Sequence, residues 1–575
     1  AAGKGGDKGA EKGEGDAGGC PPLEGAVLGE VVTRFPPEPS GYLHIGHAKA
    51  VMLNEYYARR YKGKLLVRFD DTNPSKEKDE FEENILKDLE TMGIKPDMVS
   101  HSSDHFGECE KLAKKLLAAG QAFMDDTDQE TMREERQERK PSRHRAQDPK
   151  QGLELFEKLL KGADPEAKKW CLRAKIDMAS DNGTLRDPVL YRGNDTPHHR
   201  TGTRHKAYPT YDFVCPIVDS IEGVTHCLRS TEFNDRNAQY HWLQGAMKLR
   251  TVRIWEYGKV NFVNTVLSKR KLQWFVDNCA AGSADSAVGK GKVDPKSLAV
   301  EGWFDPRFPT VQGCVRRGVT MQALRKFMVM QGASRNIVWM EWDKFWSLNK
   351  DEFEPSAPRF MGVAAGNATP FKLSGGDVPS MVGLDAASRT VPSVPSDPTS
   401  APRAMRVSDQ VLVEAEDAQL CKVGDRVILL MWGVVEVTKV FTDDPKNPGK
   451  VTGLEGVRQP EASVKKIKQK LNWVAQTGDL VTAVVKEFDH LITKPKLEEN
   501  EDFVDFLNPH STGSMPMLVE PALATLEEGQ VVQLVRRGFF RCDKPASPEG
   551  PLELVLIPDG KKSSMSSLST ALPHH

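Results

Sequence analysis

Alternation between short apolar runs and amphipathic segments constrains the fold of this chain more than any other feature of its sequence. An apolar run at residues 31–35 is followed by a proline-rich turn and an amphipathic segment. A second run at 65–69 precedes a segment in which Phe81, Ile85 and Leu89 recur every four residues, as on one face of a helix. Strands that alternate with helices in this way predict a parallel sheet.

The pattern changes three times further along the chain. A charged, loop-rich stretch begins near residue 124, short amphipathic segments follow residue 320, and β-branched runs separated by Gly, Asp and Pro follow residue 360. We therefore predict a flexible linker (1–22), a sheet domain in two halves (23–123 and 208–277), an insertion between them (124–207), a small helical domain (278–358), β-barrels (359–560) and a disordered tail (561–575). Two segments rich in Ser, Gly, Pro and Ala, 278–296 and 373–403, are predicted to be mobile loops.

Composition excludes several classes of protein. The nine cysteines are scattered, without the close pairs of a zinc site or a disulfide framework, so we predict no zinc and no other metal bound by protein side chains alone. No run approaches the roughly 20 apolar residues of a membrane span, and the start has no apolar core of a signal peptide. We expect a cytoplasmic protein without a membrane partner. A net charge of −2 leaves any nucleic-acid contact to local basic patches.

The turn after the first apolar run carries a His-Ile-Gly-His motif. Residues 34–47 read RFPPEPSGYLHIGH and lie between a predicted strand and a predicted helix. A helix N-terminus offers unpaired N–H groups and a positive dipole to phosphates, and His44 and His47 can donate hydrogen bonds to the same group. Gly46 leaves room for an adenine or a ribose beside the backbone. The motif therefore indicates a nucleotide site.

A second motif, VLSKRK at residues 266–271, is predicted to be a cationic loop after an apolar strand. Lys269 supplies a mobile point charge for phosphate oxygens. Taken singly, each motif leaves its role open, because a histidine pair can be a satisfied core feature and a Lys-Arg run can be a solvated face.

Together and in this order, the two motifs resemble the signatures of class I aminoacyl-tRNA synthetases. The departures of the second motif at Val266, Leu267 and Arg270 are typical of the glutamyl/glutaminyl subgroup. The resemblance extends through segments 68–74, 186–192, 208–213, 305–310, 490–495 and 536–540. It implies an α/β Rossmann-type catalytic domain, an inserted α+β acceptor-stem-binding domain, a small helical stem-contact domain and C-terminal β-barrels that bind the anticodon.

The resemblance implies a ligase that works in two steps. ATP and an amino acid give an aminoacyl adenylate and pyrophosphate, and the amino acid then moves to the 2′-hydroxyl of the terminal ribose of tRNA. Because the amino acid's own carboxylate attacks the α-phosphate, the enzyme needs charge stabilisation more than a nucleophile. We assign this role to His44, His47 and Lys269, with Mg²⁺ bound alongside ATP. The implied ATP site comprises Glu38, Pro39, Ser40, His44, Gly46, His47, Glu232, Leu267, Ser268 and Lys269.

The choice between glutamate and glutamine depends on one position. The two substrates differ by an oxygen against an NH₂, so a pocket for the carboxylate must supply positive charge. Arg229 resembles the position where glutamyl enzymes carry arginine and glutaminyl enzymes carry a small uncharged residue. We therefore expect L-glutamate, with a glutaminyl enzyme as the alternative and a structural salt bridge as the other role for Arg229. The implied glutamate site comprises Arg34, Pro36, Asp70, Tyr211, Cys215 and Arg229, in which Asp70 binds the ammonium group.

Cations beside apolar or aromatic residues in the β-rich half are candidates for RNA contacts, because anticodon bases stack on rings and phosphates attract cations. The candidates are Lys466, Arg536 and Arg537. The expected partners are tRNA, ATP and L-glutamate, with protein partners recruited through an upstream domain or a multisynthetase assembly.

Two other classes of protein share parts of this pattern. A catalytically dead paralogue would bind only RNA or a protein partner, but His44, His47, Lys269, Asp70 and Tyr211 are all intact. A small nucleotidyl-transferring ligase that uses no tRNA would not need the long β-rich half.

Overall fold

The computed structural model describes residues 19–75, 79–162, 165–280, 293–336, 338–379, 387–443 and 449–561. The predictions of a flexible N-terminal linker, of a mobile loop at 278–296 and of a disordered tail fall largely outside these residues. The chain divides into two compact units, one made of Ala1–Asn261 and Arg325–Val338, the other of Phe262–Leu324 and Trp339–His575.

The first unit begins with three parallel strands joined by helices. They are β1 (Val32–Phe35), α1 (Ile45–Arg60), β2 (Lys64–Phe69), α2 (Asp79–Thr91) and β3 (Met98–His101). β2 lies in the middle and pairs in parallel with both β1 and β3. The predicted face of α2 is buried at Ile85 and Leu89, while acidic residues in its first turn suit the positive end of the helix dipole. The α/β pattern read from the sequence is confirmed here.

An antiparallel sheet in the order β4–β5–β6–β7 interrupts this pattern. Its elements are α3 (Phe106–Ala118), β4 (Ala122–Asp125), α4 (Gln129–Glu138), α5 (Pro149–Lys161), β5 (Cys171–Ala174), β6 (Val189–Gly193) and β7 (Ala207–Pro209). The side chain of Asp148 caps α5 by accepting hydrogen bonds from the N–H groups of Lys150 and Gln151. The sheet occupies the range predicted as an insertion, and its role in binding an acceptor stem remains a prediction.

The chain then returns to parallel strands. The elements are α6 (Tyr211–Ile221), β8 (His226–Ser230), α7 (Asn237–Ala246) and β9 (Arg253–Tyr257). β8 pairs in parallel with β9, and Thr225 lies beside β1, where its N–H donates to the carbonyl of Val32 at 2.9 Å. The carboxyl ends of β1, β2 and β8 therefore open toward one edge, where ligands bind in such sheets.

Short helices dominate the next part of the chain. The elements are β10 (Val260–Phe262), α8 (Lys269–Cys279), α9 (Val311–Arg316), α10 (Met321–Gln331), β11 (Val338–Met340) and α11 (Trp342–Phe353). The prediction of a cationic loop is wrong at Lys269, which begins α8 because Leu272 and Phe275 bury one face of that helix. Among the described helices, none combines the length and the apolar character that crossing a membrane requires.

The C-terminal part consists of strands. They are β12 (Arg359–Phe360), β13 (Gly362–Ala364), β14 (Ala368–Ser374), β15 (Ala387–Pro392), β16 (Pro402–Val407), β17 (Gln410–Glu414), β18 (Arg426–Leu429), β19 (Gly433–Thr442), β20 (Val451–Arg458), β21 (Lys470–Leu471), β22 (Trp473–Ala475), β23 (Val481–Phe488), β24 (Thr512–Val519), β25 (Val531–Leu534), β26 (Gly538–Lys544) and β27 (Leu552–Ile557), with α12 (Ala415–Gln419) between β17 and β18. Two barrel-like seven-stranded sheets result, ordered β21–β18–β19–β20–β14–β17–β22 and β12–β25–β26–β27–β23–β24–β13. The prediction of β-barrels is confirmed.

The prediction of a mobile loop at 373–403 is wrong at 387–392, which form β15 and pair antiparallel with β16; residues 380–386 lie outside the described part of the chain. Val391 on β15 and Met405 on β16 are buried. The prolines that suggested a loop, Pro392 and Pro402, are register partners in the last residue pair of the two strands, and a strand end tolerates a residue that has no N–H donor.

Candidate active site

The two histidines of the first motif form a reciprocal cap on α1. His44 is the N-cap residue, and its Nδ1 accepts the N–H of Gly46 at 3.1 Å, while Nδ1 of His47 accepts the N–H of His44 at 3.1 Å. The rings stack with centroids 3.8 Å apart. Because both Nδ1 atoms are acceptors, the neutral rings carry their protons on Nε2, where they are donors.

Gly46 makes this ring arrangement sterically feasible. A Cβ at this position would lie 2.9 Å from Cε1 and 3.0 Å from Nδ1 of His44. A side chain here would therefore force the His44 ring to shift from its capping position. The glycine therefore has a role in placing the first histidine, in addition to the role beside a nucleotide that remains a prediction.

A buried charge network forms one wall of the site. Nε of Arg34 donates to Asp219 at 3.1 Å, and Arg68 donates to Asp219 at 2.5 Å and to Glu222 at 2.8 Å. Two guanidinium groups thus face two carboxylates, and the wall is close to electrically balanced. Burial acts to raise the pKa of Asp219, but Arg34 and Arg68 outweigh it and hold that pKa far below its ordinary value. Arg34 also donates to Sγ of Cys215 at 3.7 Å.

Arg229 lies beside this wall, but its charge is not balanced by a carboxylate of the described residues. It is 5% exposed, and its Cζ lies 4.8 Å from the ring centre of Phe233 and 5.4 Å from that of Tyr240. Its Nη1 donates to the amide oxygen of Asn237 at 3.3 Å, and its Nε has no hydrogen-bond partner among the described residues. Among the described carboxylates, none forms an ion pair with Arg229, so the alternative role as a structural salt bridge is wrong.

Asn237 explains why the charge of Arg229 stays unbalanced. Glu256 on β9 lies opposite Arg229 in the strand register, but the Asn237 amide stands between them, accepting from Arg229 and donating to Glu256 at 2.7 Å. Tyr211, the first residue of α6, packs against Phe233 with ring centres 5.9 Å apart. The structure therefore brings Arg34, Tyr211, Cys215 and Arg229 together.

Asp70 follows β2 and contributes a carboxyl group to the site. Its N–H donates to the carbonyl of Pro37 at 2.9 Å, and the hydroxyl of Thr72 donates to its Oδ1 at 3.0 Å. Burial raises the pKa of Asp70 to about 7, and the negative charges of Glu38 and Asp71 add to this rise against the Thr72 hydrogen bond. A carboxyl group in this state is a ready partner for an incoming cation.

Residues assigned to ATP in the first unit lie in the turn before α1 and in the segment after β8. Ser40 donates to the Glu38 carboxylate at 2.9 Å, which shapes the turn, and Pro36 and Pro39 restrict its backbone. Glu232 forms an ion pair with Lys259 and accepts from Ser230 at 3.3 Å.

The second motif lies in the other compact unit. Ser268 precedes α8, Lys269 is the first residue of that helix, and Leu267 is half-buried. Val266 is buried together with Leu272 in a core cluster. The part that Leu267, Ser268 and Lys269 play toward ATP remains a prediction.

The arginines proposed to contact RNA are engaged within the second unit. Arg536 donates to both oxygens of the Asp417 carboxylate, and Arg537 donates to Glu414 at 2.7 Å. Lys466, by contrast, is exposed on the segment before β21. These ion pairs give both arginines a structural role, and their contact with RNA stays a prediction.

One group of described residues has the spacing of a metal site. Ligand atoms of Asp125, Asp126 and His144 lie within 4.8 Å of one another. Arg173 and Arg143 already pair with the two carboxylates at 2.6 Å each. A cation would have to displace both arginines, so this group does not fit a metal ion.

Sequence reasoning missed Asp219, Asn237 and Tyr240, which surround the two central arginines. The spacing of four between Cys215 and Asp219 puts them on one face of α6, a signal that could have been read. The amide of Asn237 gives no comparable signal, because its partners lie on two different strands.

Comparison with known proteins agrees with this geometry. Residues 30–355 match the family described as tRNA synthetases class I (E and Q), catalytic domain, and residues 357–455 and 470–543 match two families described as the anti-codon binding domain of the same class. The chain is 44% identical to the cytoplasmic glutamate–tRNA ligase of Saccharomyces cerevisiae, over 94% of the chain and 72% of that protein. It is 43% identical to the cytoplasmic glutamate–tRNA ligase of Arabidopsis thaliana, over 96% and 73%. It is 44% identical to the bifunctional glutamate/proline–tRNA ligase of Cricetulus griseus over 94% of the chain, but spans only 34% of that protein.

Proposed function

This chain belongs to the class I tRNA synthetases of the E and Q kind, and on that basis we propose that it is a cytoplasmic glutamate–tRNA ligase. It would activate L-glutamate with ATP and transfer the glutamyl group to the terminal ribose of its tRNA. The observation that carries the choice of glutamate is the buried Arg229 guanidinium, which forms no ion pair with any carboxylate of the described residues.

The carboxylate of the glutamate side chain is the group that Arg229 would bind. Arg34 and Arg68 already share Asp219 and Glu222, so the wall behind the pocket contributes little net charge, and Arg229 supplies what the substrate neutralises. The NH₂ of glutamine would face the guanidinium, and because both groups are hydrogen-bond donors, no hydrogen bond could form between them. Sites built around such polar pairs discriminate by roughly four to five decades.

The α-ammonium group of the substrate would pair with Asp70. The incoming positive charge would keep the Asp70 carboxyl ionised and would offset its electrostatic repulsion by Glu38 and Asp71. Side chain and ammonium group would then be held at separate points, which leaves the α-carboxylate to face ATP.

Adenylate formation needs donors for the phosphates and none for nucleophilic attack. An oxygen of the α-carboxylate attacks the α-phosphorus, and the bond to the pyrophosphate oxygen breaks, so negative charge builds on the leaving group. The reciprocal cap supports a role for His44 and His47 as Nε2 donors at the N-terminus of α1. Lys269 would add a positive charge, and Mg²⁺ would neutralise phosphate oxygens when bound with ATP.

In the second step the 2′-hydroxyl of the terminal ribose attacks the adenylate carbonyl and AMP leaves. The insertion sheet would hold the acceptor end of the tRNA and the helical region its stem. The barrels would bind the anticodon, in line with the families they match. Partners recruited through an upstream domain are suggested by the bifunctional relatives.

The test is charging of total cytosolic tRNA with labelled glutamate and, separately, labelled glutamine, alongside ATP–pyrophosphate exchange with and without tRNA. We expect glutamate charging with negligible glutamine charging. Glutamine charging would refute the pocket argument while leaving the family intact. Failure to charge either amino acid would favour the RNA-binding paralogue.

A further inference from the structure

A tight hairpin in the connection between β6 and β7 reaches the loop that carries Asp70. His198 and Gly202 form an antiparallel bridge with N–H to carbonyl distances of 2.9 and 2.8 Å. Gly202 has a φ of 61°, in the left-handed region that favours glycine. The hairpin packs against residues that belong neither to β6 nor to β7, so its contacts serve another part of the unit.

His198 is the hairpin residue that makes the central contact. It is 1% exposed, and its Nδ1 accepts the N–H groups of Arg200 at 3.1 Å and Thr201 at 3.2 Å. This fixes the proton of the neutral ring on Nε2, which donates to the carbonyl oxygen of Asp71 at 2.8 Å. The ring also stacks on Tyr208, with centroids 5.9 Å apart.

The side chain of Asp71 is held in the same place. Its Oδ1 accepts the N–H of Ser103 at 2.8 Å. Its Oδ2 has no hydrogen bond to any residue that the structure describes, and lies 3.7 Å from both His198 Nε2 and Arg200 Nη1. Arg200 in turn donates to Asp104 at 3.0 Å. The backbone and the side chain of Asp71 are therefore both fixed within the protein.

The carbonyl of Asp71 belongs to the peptide group that it shares with Thr72. Because a peptide group is planar, fixing its oxygen restricts the orientation of the Thr72 backbone. The hydroxyl of Thr72 donates to Oδ1 of Asp70 at 3.0 Å. A continuous path of contacts thus runs from Nε2 of His198 to the Asp70 carboxyl.

The far end of the same loop is tied to the same connection. Oγ of Ser75 lies 3.2 Å from Oγ1 of Thr196 and accepts from the amide of Asn194 at 3.0 Å. The β6–β7 connection therefore contacts this loop at two points, next to Asp70 and at Ser75, the last described residue before α2.

We propose that His198 is a positioning residue for amino-acid binding, which orients the Asp70 carboxyl toward the α-ammonium group of the substrate through the Asp71–Thr72 peptide. This inference rests on the proposed function, in which Asp70 receives that ammonium group. It predicts an effect confined to ligands that carry an α-ammonium group. ATP, which does not contact Asp70 in this scheme, should bind normally.

The test compares His198→Phe with His198→Gln in the full chain. Phenylalanine retains the ring stacking but leaves the Asp71 carbonyl without its donor, whereas the glutamine amide can replace Nε2–H. For His198→Phe we expect the KM for glutamate to rise roughly tenfold, with the KM for ATP within about twofold. His198→Gln should recover most of the loss.

Glutarate provides the matched ligand control, because it retains both carboxylates and lacks the ammonium group. As a competitive inhibitor it should lose less than about threefold in His198→Phe. Equal losses for glutamate, glutarate and ATP, or an unchanged KM for glutamate, would overturn the proposal.

Two additions keep the result decisive. If His198→Phe does not fold, Thr72→Val removes the last hydroxyl of the path and should raise the KM for glutamate while sparing ATP; no such rise would contradict the proposal. If the chain charged glutamine instead, the proposed function would fail. The role of His198 could still be tested by comparing the KM for glutamine with the inhibition constant of its analogue without the ammonium group.

Discussion

Replacing Arg229 by methionine separates the chemistry of the pocket from its packing. Methionine is a flexible apolar side chain that fills space between Phe233 and Tyr240, where the guanidinium now lies. The substitution removes the positive charge and the donors but keeps most of the apolar contact. Arg34 cannot take over, because its guanidinium is already paired with Asp219.

The expected loss follows from burial. Truncating one partner of a buried, hydrogen-bonded charge pair costs roughly 2–5 kcal/mol, which is about 30- to 5000-fold in kcat/KM. Glutamate should lose this factor in Arg229→Met, whereas glutamine has no side-chain charge to pair and should lose little. Arg229→Lys, which keeps the charge without the planar fork, should lie between the two.

Stability should move in the opposite direction from activity. Arg229 forms no ion pair within the described part of the chain, so Arg229→Met should melt at the same temperature as wild type or higher. Saturating glutamate should raise the melting temperature of the wild type and not that of the variant. Arg236→Met is the matched control, because Arg236 lies 6.0 Å from the same Phe233 ring but pairs with Asp212.

The assay is steady-state charging of tRNA with each amino acid, with thermal melts of every variant. The reasoning is refuted if Arg229→Met keeps its kcat/KM for glutamate within threefold of wild type. It is also refuted if the variant loses glutamate and glutamine charging equally, or if Arg236→Met lowers the ratio of glutamate to glutamine charging as strongly.

Four further predictions concern the same unit and the second motif. The pKa of Asp70 is higher in the folded protein than in the unfolded chain, so ionisation of Asp70 lowers the stability of the fold as pH rises from about 4 to 7. Asp70→Asn removes this effect, so its melting temperature relative to wild type should be higher at pH 8 than at pH 4. The corresponding change in the free energy of unfolding is up to about 4 kcal/mol. Gly46→Ala should displace the His44 ring and slow pyrophosphate exchange by roughly two decades, and a near-normal rate would contradict the cap argument. Asp219→Asn should destabilise the first unit by about 3–5 kcal/mol, seen as a lower melting temperature, because two buried guanidinium groups lose their shared partner. Lys269→Ala should lose about two to three decades in charging rate, and normal charging would remove it from the catalytic assignment.

Much of the fold could be predicted because its signals are local in sequence. The spacing of Phe81, Ile85 and Leu89 predicts α2, and the β-branched runs predict barrel strands such as β25. The hairpin of β15 and β16 was not predicted, because its prolines and serines are typical of a loop. Only the pairing between its two strands, with Val391 and Met405 buried, shows that it is a sheet.

The candidate site shows the same division. His44 and His47 are three residues apart, so their mutual cap follows from the start of one helix. The partner of Arg536 is 119 residues away in sequence and that of Arg537 is 123 residues away, so no pattern in their neighbourhood could reveal the ion pairs. The state of Arg229 was equally hidden, because it depends on an amide that separates it from Glu256 across two strands.

The balanced wall of Arg34, Arg68, Asp219 and Glu222 has a consequence for how such a pocket evolves. Its charges pair among themselves, so the wall keeps its ion pairs whichever side chain occupies position 229. A single mutation there would alter the polarity that the ligand meets without leaving a buried ion unpaired in the wall. A change of substrate specificity toward an amino acid with a neutral side chain could therefore begin with one substitution at position 229. Selection could then refine the new preference gradually.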